Sequence, residues 1–509
     1  MNKIHGPKNV IIFSYNLINW LYMDIIPILK EKYNTRFIII GNEDVLEKFN
    51  PLLNVNFDKL IELSTLEKKL QEDLYEDIDK ERKLARKNEK KYDISYMREI
   101  IQQDRKLSTY FLSHSENFIW TKNDYLNDDF ILSFVNRCVS YAEGLIEKES
   151  IDLALVWPLD ALSATFANIC EHKNIFVTYP YNSKYKSYGF WASSAFQDDK
   201  LLCAYYNNIK EEKLISLEDI SPPNTGWPET SEMDKIYSFW TILKKSIKTT
   251  LFRIEFILLD ILKLDFSKKD RVSYFAQISF HINSWRLYRL ISKNSFRDLY
   301  SLKKKPYLFF AISLEPEFSV QAKCKEFNDQ KSIIKQLAMC LPMGYELIIK
   351  EHFDIGRRSW NFYEELCKIP NVRMAHPSIR GIDLVSQSRA VATMAGTVTL
   401  EATLMGKKVI EFSNHSSYSF LPNVFKINDF TNLPSILRKV MGEQKKHEID
   451  EVRSYGSRVR KAIIEMSFDA PGSPLFYDDK SYKGLDEINL NKAVTLLLKQ
   501  YSQNKVNSN

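Results

Sequence analysis

Short runs of apolar residues alternate with segments of helical spacing in two separate parts of the chain. In the first part they predict strands at 9–14, 36–41, 151–157 and 175–179, and helices at 20–32, 128–148 and 161–173. Strands that alternate with helices in this way are typical of a parallel sheet built from βαβ units. We therefore expect a Rossmann-like α/β domain in residues 1–220.

A long charged stretch interrupts this first domain after its second strand. Residues 66–115 contain neither Gly nor Pro, and Leu, Ile and Tyr recur among the charges at helical spacing. This pattern predicts one or two amphipathic helices, inserted at about 65–125. Turn-forming residues then cluster at 221–228 and indicate the edge of the domain.

A second and more regular α/β pattern begins at Pro306. It predicts strands at 307–312, 346–350, 372–375, 390–394 and 409–412, with helices at 329–341, 360–367, 382–387 and 398–405. We expect a second doubly wound, Rossmann-like domain at 306–480. Residues 481–509 follow it and should form a helix near 486–499 and a polar tail. Two such domains facing a cleft, joined here by 221–305, are the GT-B-like architecture.

Length, composition and cysteines limit the class of protein. A chain of 509 residues is too long for one hydrophobic core, and 44% hydrophobic with 27% charged residues excludes a disordered or fibrous protein. Six cysteines occur singly, without a C-x-x-C pair, as expected for reduced thiols. The apolar run at 10–13 is too short for a signal peptide, and no run is long enough to span a membrane. We expect a cytoplasmic protein.

Positive charge is concentrated between residues 241 and 305. This segment has fifteen Lys or Arg against five Asp or Glu, a net charge of +10 in a chain whose total is +6. Two interpretations remain open: a solvated helix pair packed on a domain, or a face that contacts an anionic glycan or the inner-membrane surface. The segment lacks a recognised nucleic-acid-binding module, so we expect no nucleic-acid partner.

Polar residues follow several predicted strands of the second domain, where parallel sheets bind their ligands. Gly396 and Thr397 precede a helix and could bind phosphate through backbone and hydroxyl donors, and Glu401 lies one turn later, placed for a ribose. An ordinary helix start is the alternative for this pair. Lys350 and His352 end another strand and supply a cation and an imidazole for a donor phosphate.

Two further loops of the second domain contribute candidates. Glu315 and Glu317 could orient a sugar hydroxyl or a basic residue, or simply cap their loop, and Ser313 precedes them as a candidate for donor binding. His376, after a further strand, completes the candidate donor site, although a His-Pro loop is also a common connector.

In the first domain, Asp160 follows a strand. It could deprotonate an acceptor hydroxyl as a general base, or serve as the N-cap of the next helix. We expect no metal site: the D-x-D at 77–79 falls in the predicted helical insertion, and no Cys/His metal spacing occurs.

A family resemblance covers roughly residues 300–430. It rests on Ser313-Leu314-Glu315-Pro316-Glu317, Asp329-Gln330, Leu341-Pro342-Met343-Gly344, Lys350-Glu351-His352, Arg357 with Phe362-Tyr363, Pro370-Asn371-Val372 and Gly396-Thr397-Val398-Thr399-Leu400-Glu401-Ala402. In order and spacing this set resembles the capsule polysaccharide biosynthesis protein family, which includes the β-Kdo transferases that start bacterial capsule chains.

The resemblance implies a GT-B glycosyltransferase at the cytoplasmic side of a bacterial inner membrane. It would move a sugar from a nucleotide-sugar donor, a CMP-sugar such as CMP-Kdo, to a glycan or glycolipid acceptor, without a separate cofactor. His352 and the Gly396-Thr397 loop would hold the donor phosphate, with Glu401 near the nucleoside. The family often has Pro where this chain has Phe353, and a His before its Pro-Glu where this chain has Ser313 and Glu315, so the nucleotide base stays open.

Two other functions also remain open. One is transfer of a polyol phosphate from a CDP-alcohol, as in assembly of teichoic-acid-like polymers, which yields a phosphodiester rather than a glycosidic bond. The other is a non-catalytic component of a polysaccharide assembly complex that binds glycan or lipid through its basic segment.

Overall fold

The computed structural model describes residues 6–14, 19–52, 58–72, 77–104, 107, 128–183, 185–192, 200–216, 229–248, 250–251, 274–302, 305–315, 317–352, 355–413, 415–470 and 484–508. These residues fall into two compact units. Those of Met1–Leu107, Asp124–Glu212 and Arg458–Asn509 form the first, and those of Lys213–Ser457 form the second. The expected linker turn at 221–228 and part of the basic segment, 252–273, lie outside the described residues.

The first unit begins with alternating strands and helices, as its sequence predicts. Its strands are β1 (Asn9–Ser14), β2 (Arg36–Gly41), β3 (Lys59–Glu62), β4 (Leu153–Leu155), β5 (Phe176–Asn182) and β6 (Tyr188–Ala192). Its helices are α1 (Asn19–Tyr33), α2 (Glu43–Phe49), α3 (Leu63–Leu70), α4 (Ile78–Tyr92), α5 (Asp128–Glu149), α6 (Ala161–His172) and α7 (Lys200–Asn208).

The second unit contains a longer run of the same alternation. Its strands are β7 (Ser295–Phe296), β8 (Tyr307–Ala311), β9 (Glu346–Lys350), β10 (Val372–Ala375), β11 (Ala390–Thr393), β12 (Lys408–Glu411) and β13 (Val424–Lys426). Its helices are α8 (Thr230–Ile236), α9 (Tyr274–Asn294), α10 (Phe318–Gln321), α11 (Gln330–Cys340), α12 (Trp360–Cys367), α13 (Gly381–Gln387), α14 (Val398–Leu404), α15 (Leu433–Met441) and α16 (Lys446–Met466). Residues 239–248 are also helical. The chain then returns to the first unit with β14 (Phe468–Asp469) and α17 (Glu487–Ser508).

Each unit is built on a seven-stranded sheet. The order in the first sheet is β14-β6-β5-β4-β1-β2-β3, and the strands from β5 to β3 are parallel, whereas β6 and β14 are antiparallel to their neighbours. The order in the second sheet is β13-β12-β11-β8-β9-β10-β7, and all of its pairs are parallel. Two Rossmann-like units confirm the predicted GT-B-like fold class.

Helices cover both faces of the second sheet, which explains its continuous apolar strands. Leu308 and Phe310 of β8 belong to one buried cluster, whereas Tyr307 and Phe309 belong to a cluster on the opposite face. Successive side chains of a strand point to opposite faces, so a strand buried on both sides must be apolar throughout. The apolar run at 307–310 therefore predicts a central strand correctly.

The structure differs from the sequence-based boundaries at several points. The charged insertion forms two helices, α3 and α4, followed by short turns at Tyr96–Ile100 and Ile101–Gln103, and residues 108–127 lie outside the described part. The second unit begins at Lys213 rather than 306 and ends at Ser457 rather than 480, because α8, α9 and β7 pack with its sheet. No helix in the described ranges is long and apolar enough to cross a bilayer.

Candidate functional site

The chain reverses its direction of strand addition between β8 and β11 of the second sheet. From β8 it adds β9 and β10 on one side, and then crosses over to add β11, β12 and β13 on the other. The loops after β8 and β11 therefore diverge at the carboxyl edge of the sheet and leave a crevice between them, where such sheets bind ligands. Ser313 and Glu315 lie in the first of these loops, and Gly396 and Thr397 lie in the second.

The loop after β8 is fixed by the start of α11. The backbone N–H of Ser313 donates to the side-chain oxygen of Gln330 at 2.8 Å, and the Gln330 amide donates back to the Ser313 carbonyl at 2.9 Å. The same amide donates to the carboxylate of Glu315, which is 3% exposed. This loop is consequently held rigid beside the crevice, and Pro316 lies outside the described residues.

A buried arginine joins the loops that follow β8 and β9. The guanidinium of Arg358, 2% exposed, donates to Glu351 at 2.7 Å, donates to the carbonyl of Ser313 and lies 3.6 Å from the Glu315 carboxylate. The Tyr363 hydroxyl also donates to Glu351 at 2.7 Å. Burial alone would lower the pKa of Arg358, but the carboxylates raise it overall, so the cation is compensated by charge. Of the roles expected for Glu315, the contact with a basic residue is the one present.

The residues at the end of β9 are more buried than the sequence suggests. Lys350 is buried and donates to the carbonyl of Glu351 at 3.2 Å, and burial lowers its pKa to about 8, an effect that Glu351 partly offsets. His352 follows and is half-buried; its backbone N–H donates to Glu351 at 2.8 Å. Lys350 therefore supports the strand end from within, and His352 is the more accessible of the two.

His376 lies inside the unit rather than on its surface. Its side chain is fully buried and is held between Ser378 at 2.7 Å and Ser292 at 3.1 Å, with the ring of Tyr288 5.7 Å away. Burial lowers its pKa to about 4, and neighbouring cations contribute in the same direction. This neutral imidazole connects β10 to α9, so the structure favours a structural role over the expected contact with the donor.

The loop after β11 leaves hydrogen-bonding groups at the crevice. Gly396 and Thr397 are half-exposed, and the Thr397 side chain makes no capping hydrogen bond to the seven-residue helix α14. A Cβ atom on Gly396 would lie 2.9 Å from the hydroxyl oxygen of Thr393, so this position has little room for a side chain. The loop is shaped by the close packing of its glycine, and its threonine remains accessible.

Glu401 combines accessibility with an uncompensated charge. It lies on α14 one turn after Thr397 and is half-exposed, although protein surrounds it on most sides. Burial raises its pKa to about 7, and no hydrogen bond or cation among the described residues counteracts this effect. A partly exposed carboxylate with a raised pKa, one helical turn after the loop that follows β11, makes Glu401 a candidate for ligand contact.

The remaining carboxylates differ in how far they are engaged. Asp160, in the first unit, caps α6: its carboxylate accepts from the backbone N–H of Ser163 at 2.8 Å and from its hydroxyl at 2.9 Å. Asp160 is therefore the N-cap of α6, which was the alternative to a general base. Glu317, at the second crevice loop, is half-buried, and its carbonyl accepts from the start of α10. Asp77 of the D-x-D caps α4.

Metal-binding geometry is not found in the part of the chain that the structure describes. No three His, Cys, Asp or Glu side chains there are grouped closely enough to hold a metal ion. The expectation of a metal-independent reaction stays a prediction. Half-buried polar residues follow two strands of this sheet: His352 after β9, and Thr397 and Glu401 after β11. An imidazole, a hydroxyl and a carboxylate are suited to a ligand with both hydroxyl and phosphate groups.

Sequence reasoning missed the residues that hold the crevice loops together. Arg358, Tyr363 and Gln330 were not chosen as site residues. Arg358 and Gln330 contact the candidate Glu315, and Tyr363 contacts its buried neighbour Glu351. A signal was available: two carboxylates, Glu315 and Glu351, follow neighbouring buried strands and require a cation if they are buried together. The nearby arginines at 357 and 358 were the obvious donors.

Comparison with protein families supports the interpretation of the second unit. Residues 270–420 match the model of a family described as capsule polysaccharide biosynthesis protein. This segment contains α9 and all the crevice loops, so the resemblance to this family that was inferred from the sequence is confirmed. No curated protein matches the sequence.

Solved structures show only a distant similarity. The UDP-GlcNAc 2-epimerase of Neisseria meningitidis is 12% identical, with 90% of this chain and 99% of that chain covered, at a TM-score of 0.23. The β-Kdo 2,7 transferase of Thermosulfurimonas dismutans KpsC is 12% identical, with 64% and 88% covered, at 0.28. Its β-Kdo 2,4 transferase is 11% identical, with 61% and 80% covered, at 0.30. These scores support no conclusion on donor or acceptor, and the fold rests on the two sheets themselves.

Proposed function

We propose, because residues 270–420 match the capsule polysaccharide biosynthesis family, that the protein is a surface-polysaccharide glycosyltransferase that binds a nucleotide-sugar donor at the crevice between β8 and β11. The donor that the sequence resemblance favours is a CMP-sugar such as CMP-Kdo. The acceptor is a glycan or glycolipid at the cytoplasmic side of the inner membrane. The reaction needs no cofactor beyond the donor itself.

The observation that carries this proposal is the state of Glu401. The residue is partly exposed one helical turn after the loop that follows β11, and its pKa of about 7 reflects burial without a compensating donor among the described residues. The vicinal hydroxyls of a ribose are such donors, and hydrogen bonds to the carboxylate would favour its charged form. A nucleoside bound here therefore relieves a cost that the free protein carries.

Two further residues are placed for the phosphate end of the donor. Thr397 lies one helical turn from Glu401 with a hydroxyl that makes no capping bond, and His352 lies at the end of β9, the other neighbour of β8. Both can donate to phosphate oxygens. Arg358 has no comparable exposure, so it acts as a positioning residue that keeps the loops after β8 and β9 in place.

The reaction itself is a displacement at the anomeric carbon of the donor sugar. An acceptor hydroxyl forms the new C–O bond, the bond to the donor phosphate breaks, and the nucleotide leaves with the electron pair. Donors from His352 and Thr397 would stabilise the charge that develops on the leaving phosphate. Three carboxylates are candidates for accepting the acceptor proton: Asp160, Glu315 and Glu317. Glu315 is neutralised by Arg358 and Asp160 caps α6, so we nominate Glu317.

A thermal-shift screen against CMP, CDP, UDP, GDP and their sugar conjugates tests the donor site. A nucleotide at 100 times its dissociation constant stabilises the folded state by about 2.7 kcal/mol, which raises the melting temperature by several degrees. We expect stabilisation by CMP that is lost in His352→Ala and Thr397→Val but kept in His447→Ala, a control at an exposed histidine.

The other outcomes distinguish the alternatives. Stabilisation by UDP or GDP would keep the glycosyltransferase and replace the donor. A stronger response to a CDP-polyol than to any CMP-sugar would favour the phosphotransferase. If no nucleotide raises the melting temperature, the donor site is refuted and the non-catalytic binding protein becomes the better explanation.

A further inference from the structure

An exposed apolar stripe runs along the helical residues 239–248 and 250–251 of the second unit. Trp240 is 70% exposed, Ile247 50% and Leu251 61%, and Leu243 is also exposed. The spacing of these residues, three to four apart, places them on one side of a helix, away from the buried Ile242. Isolated exposed apolar side chains are common, but a stripe of this length with a tryptophan is not.

Helix α9 lies beside the helix that carries the stripe. The ring of Phe239, itself exposed, is 5.8 Å from the ring of Trp285 on α9, and Ile282 lies one helical turn before Trp285 with 46% exposure. Lys245 is close enough to His281 to add to the lowering of its pKa by burial. The two helices therefore pack side by side, and each has exposed side chains on its outer surface.

Exposed cations lie on both helices, whereas the described residues of these helices have no carboxylate. The described residues from 238 to 251 and from 274 to 294 include no Asp or Glu. Exposed basic residues border the stripe on both helices: Lys244, Lys245, Lys248, Arg286, Arg289 and Lys293. On α9 the last three recur three to four residues apart, in register with Ile282. The result is an apolar stripe with a basic border, which we call the basic–apolar face.

We propose that the basic–apolar face docks on a phospholipid bilayer that contains anionic lipids. Helices with tryptophan and aliphatic residues on one side and Lys or Arg beside them lie in the plane of the membrane interface. Tryptophan is enriched at that depth, and the basic residues face the anionic headgroups. Neither contribution suffices alone for stable attachment, and this face supplies both.

Other occupants fit the face less well. A polyanionic glycan or a nucleic acid would pair with the cations but would leave the aliphatic stripe exposed to water. A second copy of this chain could cover the stripe, but a two-fold contact would bring the six cations of one copy against the six of the other. The bilayer is the partner that matches both the charge and the apolar surface. This inference does not depend on the identity of the donor.

Co-sedimentation of the full chain with vesicles tests the proposal. Two kinds of vesicle are compared, each at low and at high salt. One contains phosphatidylcholine alone, and in the other about a third of the lipid is the anionic phosphatidylglycerol. We expect binding only to the anionic vesicles and weakening by salt. Each basic residue near such a surface strengthens binding about fivefold, so Lys244→Gln/Lys248→Gln should weaken it roughly 30-fold.

Matched variants separate charge from apolar contact. Lys83→Gln/Lys87→Gln removes two exposed lysines with the same four-residue spacing on α4 and should leave vesicle binding unchanged. Ile247→Asp should weaken binding by at least tenfold, whereas Ile488→Asp, at a residue 80% exposed on α17, should not. All four positions are exposed, so unchanged melting temperatures will confirm that the variants fold.

Three results would overturn the proposal. The first is absence of binding to anionic vesicles at low salt. The second is binding to heparin that Lys244→Gln/Lys248→Gln weakens and Ile247→Asp does not, with no vesicle binding, which would identify a polyanion site. The third is self-association in analytical ultracentrifugation that Ile247→Asp abolishes, which would identify a contact between copies.

Discussion

Replacement of Glu401 by Gln should make the protein more stable at pH 8 and change its stability little at pH 5. Burial raises the pKa of Glu401 to about 7 in the folded protein, against about 4.3 for an unfolded chain. Between these values the folded state binds more protons than the unfolded state, so the free energy of unfolding falls as the pH rises from about 4.5 through 7. The penalty is complete above pH 7 and absent below pH 4.

The size of this effect follows from the two pKa values. A tenfold change in proton affinity corresponds to 1.36 kcal/mol, so a pKa near 7 instead of near 4.5 lowers the stability at pH 8 by about 3 kcal/mol. Glutamine has the same shape without the charge, and Glu401→Gln should recover most of this amount. In a unit of this size each kcal/mol changes the melting temperature by about 2 °C, so we expect an increase of about 6 °C.

Thermal unfolding followed by circular dichroism at pH 5 and pH 8 measures the effect. Glu443→Gln, at an exposed glutamate of the same unit, provides a control and should change neither melting temperature. The reasoning is refuted if Glu401→Gln and the wild type melt together at pH 8, or if the variant is the less stable of the two there. Glu401→Gln should also weaken the nucleotide response proposed above, since an amide accepts fewer ribose hydrogen bonds than a carboxylate.

Arg358→Met should lower the free energy of unfolding by about 3–5 kcal/mol, because it leaves Glu315 and Glu351 buried without their cation. Urea denaturation gives the value, and a loss below about 1 kcal/mol would contradict the buried ion-pair network. Gly406→Ala should cost at least about 1 kcal/mol, because Gly406 has φ of +76° and its Cβ would approach a neighbouring side chain at 2.6 Å; an unchanged melting temperature would argue against this conformation. Asp160→Asn should keep the cap of α6 and with it the stability, so transferase activity in this variant separates a cap from a general base: normal turnover supports the cap alone, and loss of turnover restores Asp160 as a base.

The central elements of the second unit could be predicted closely from the sequence. Strands 346–350 and 372–375 and the helix 360–367 have the bounds that their patterns indicate. Central parallel strands are buried on both faces, so they are largely apolar, although β9 begins with Glu346 and ends with Lys350 and β10 contains Arg373. The edge strands β7 and β14, with two residues each, are too short to produce such a pattern.

The sequence predicts which residues follow each strand, but it does not predict which of them face the crevice. Because ligands bind at the carboxyl ends of parallel strands, the residues after each strand could be identified before their geometry was known. Which of these residues face the crevice depends on the path of the loops. Arg358 turns back to reach Ser313, 45 positions earlier in the chain, and His376 turns inward to Ser292. Neither contact has a local signal in the sequence.

A buried charged side chain in this unit either has an oppositely charged partner or lacks one. This difference separates ions with a structural role from groups that are candidates for ligand contact. Arg358 is buried with two carboxylates, and its pKa is raised, so folding itself accounts for its position. Glu401 has no such partner among the described residues, and its pKa of about 7 shows that the folded protein carries a cost at neutral pH that an apolar residue would avoid. A cost of this kind at the loop where a parallel sheet binds ligands is expected for a residue whose partner arrives with the ligand. The same physical criterion therefore supports the proposal that Arg358 positions the loops and that Glu401 contacts the ligand.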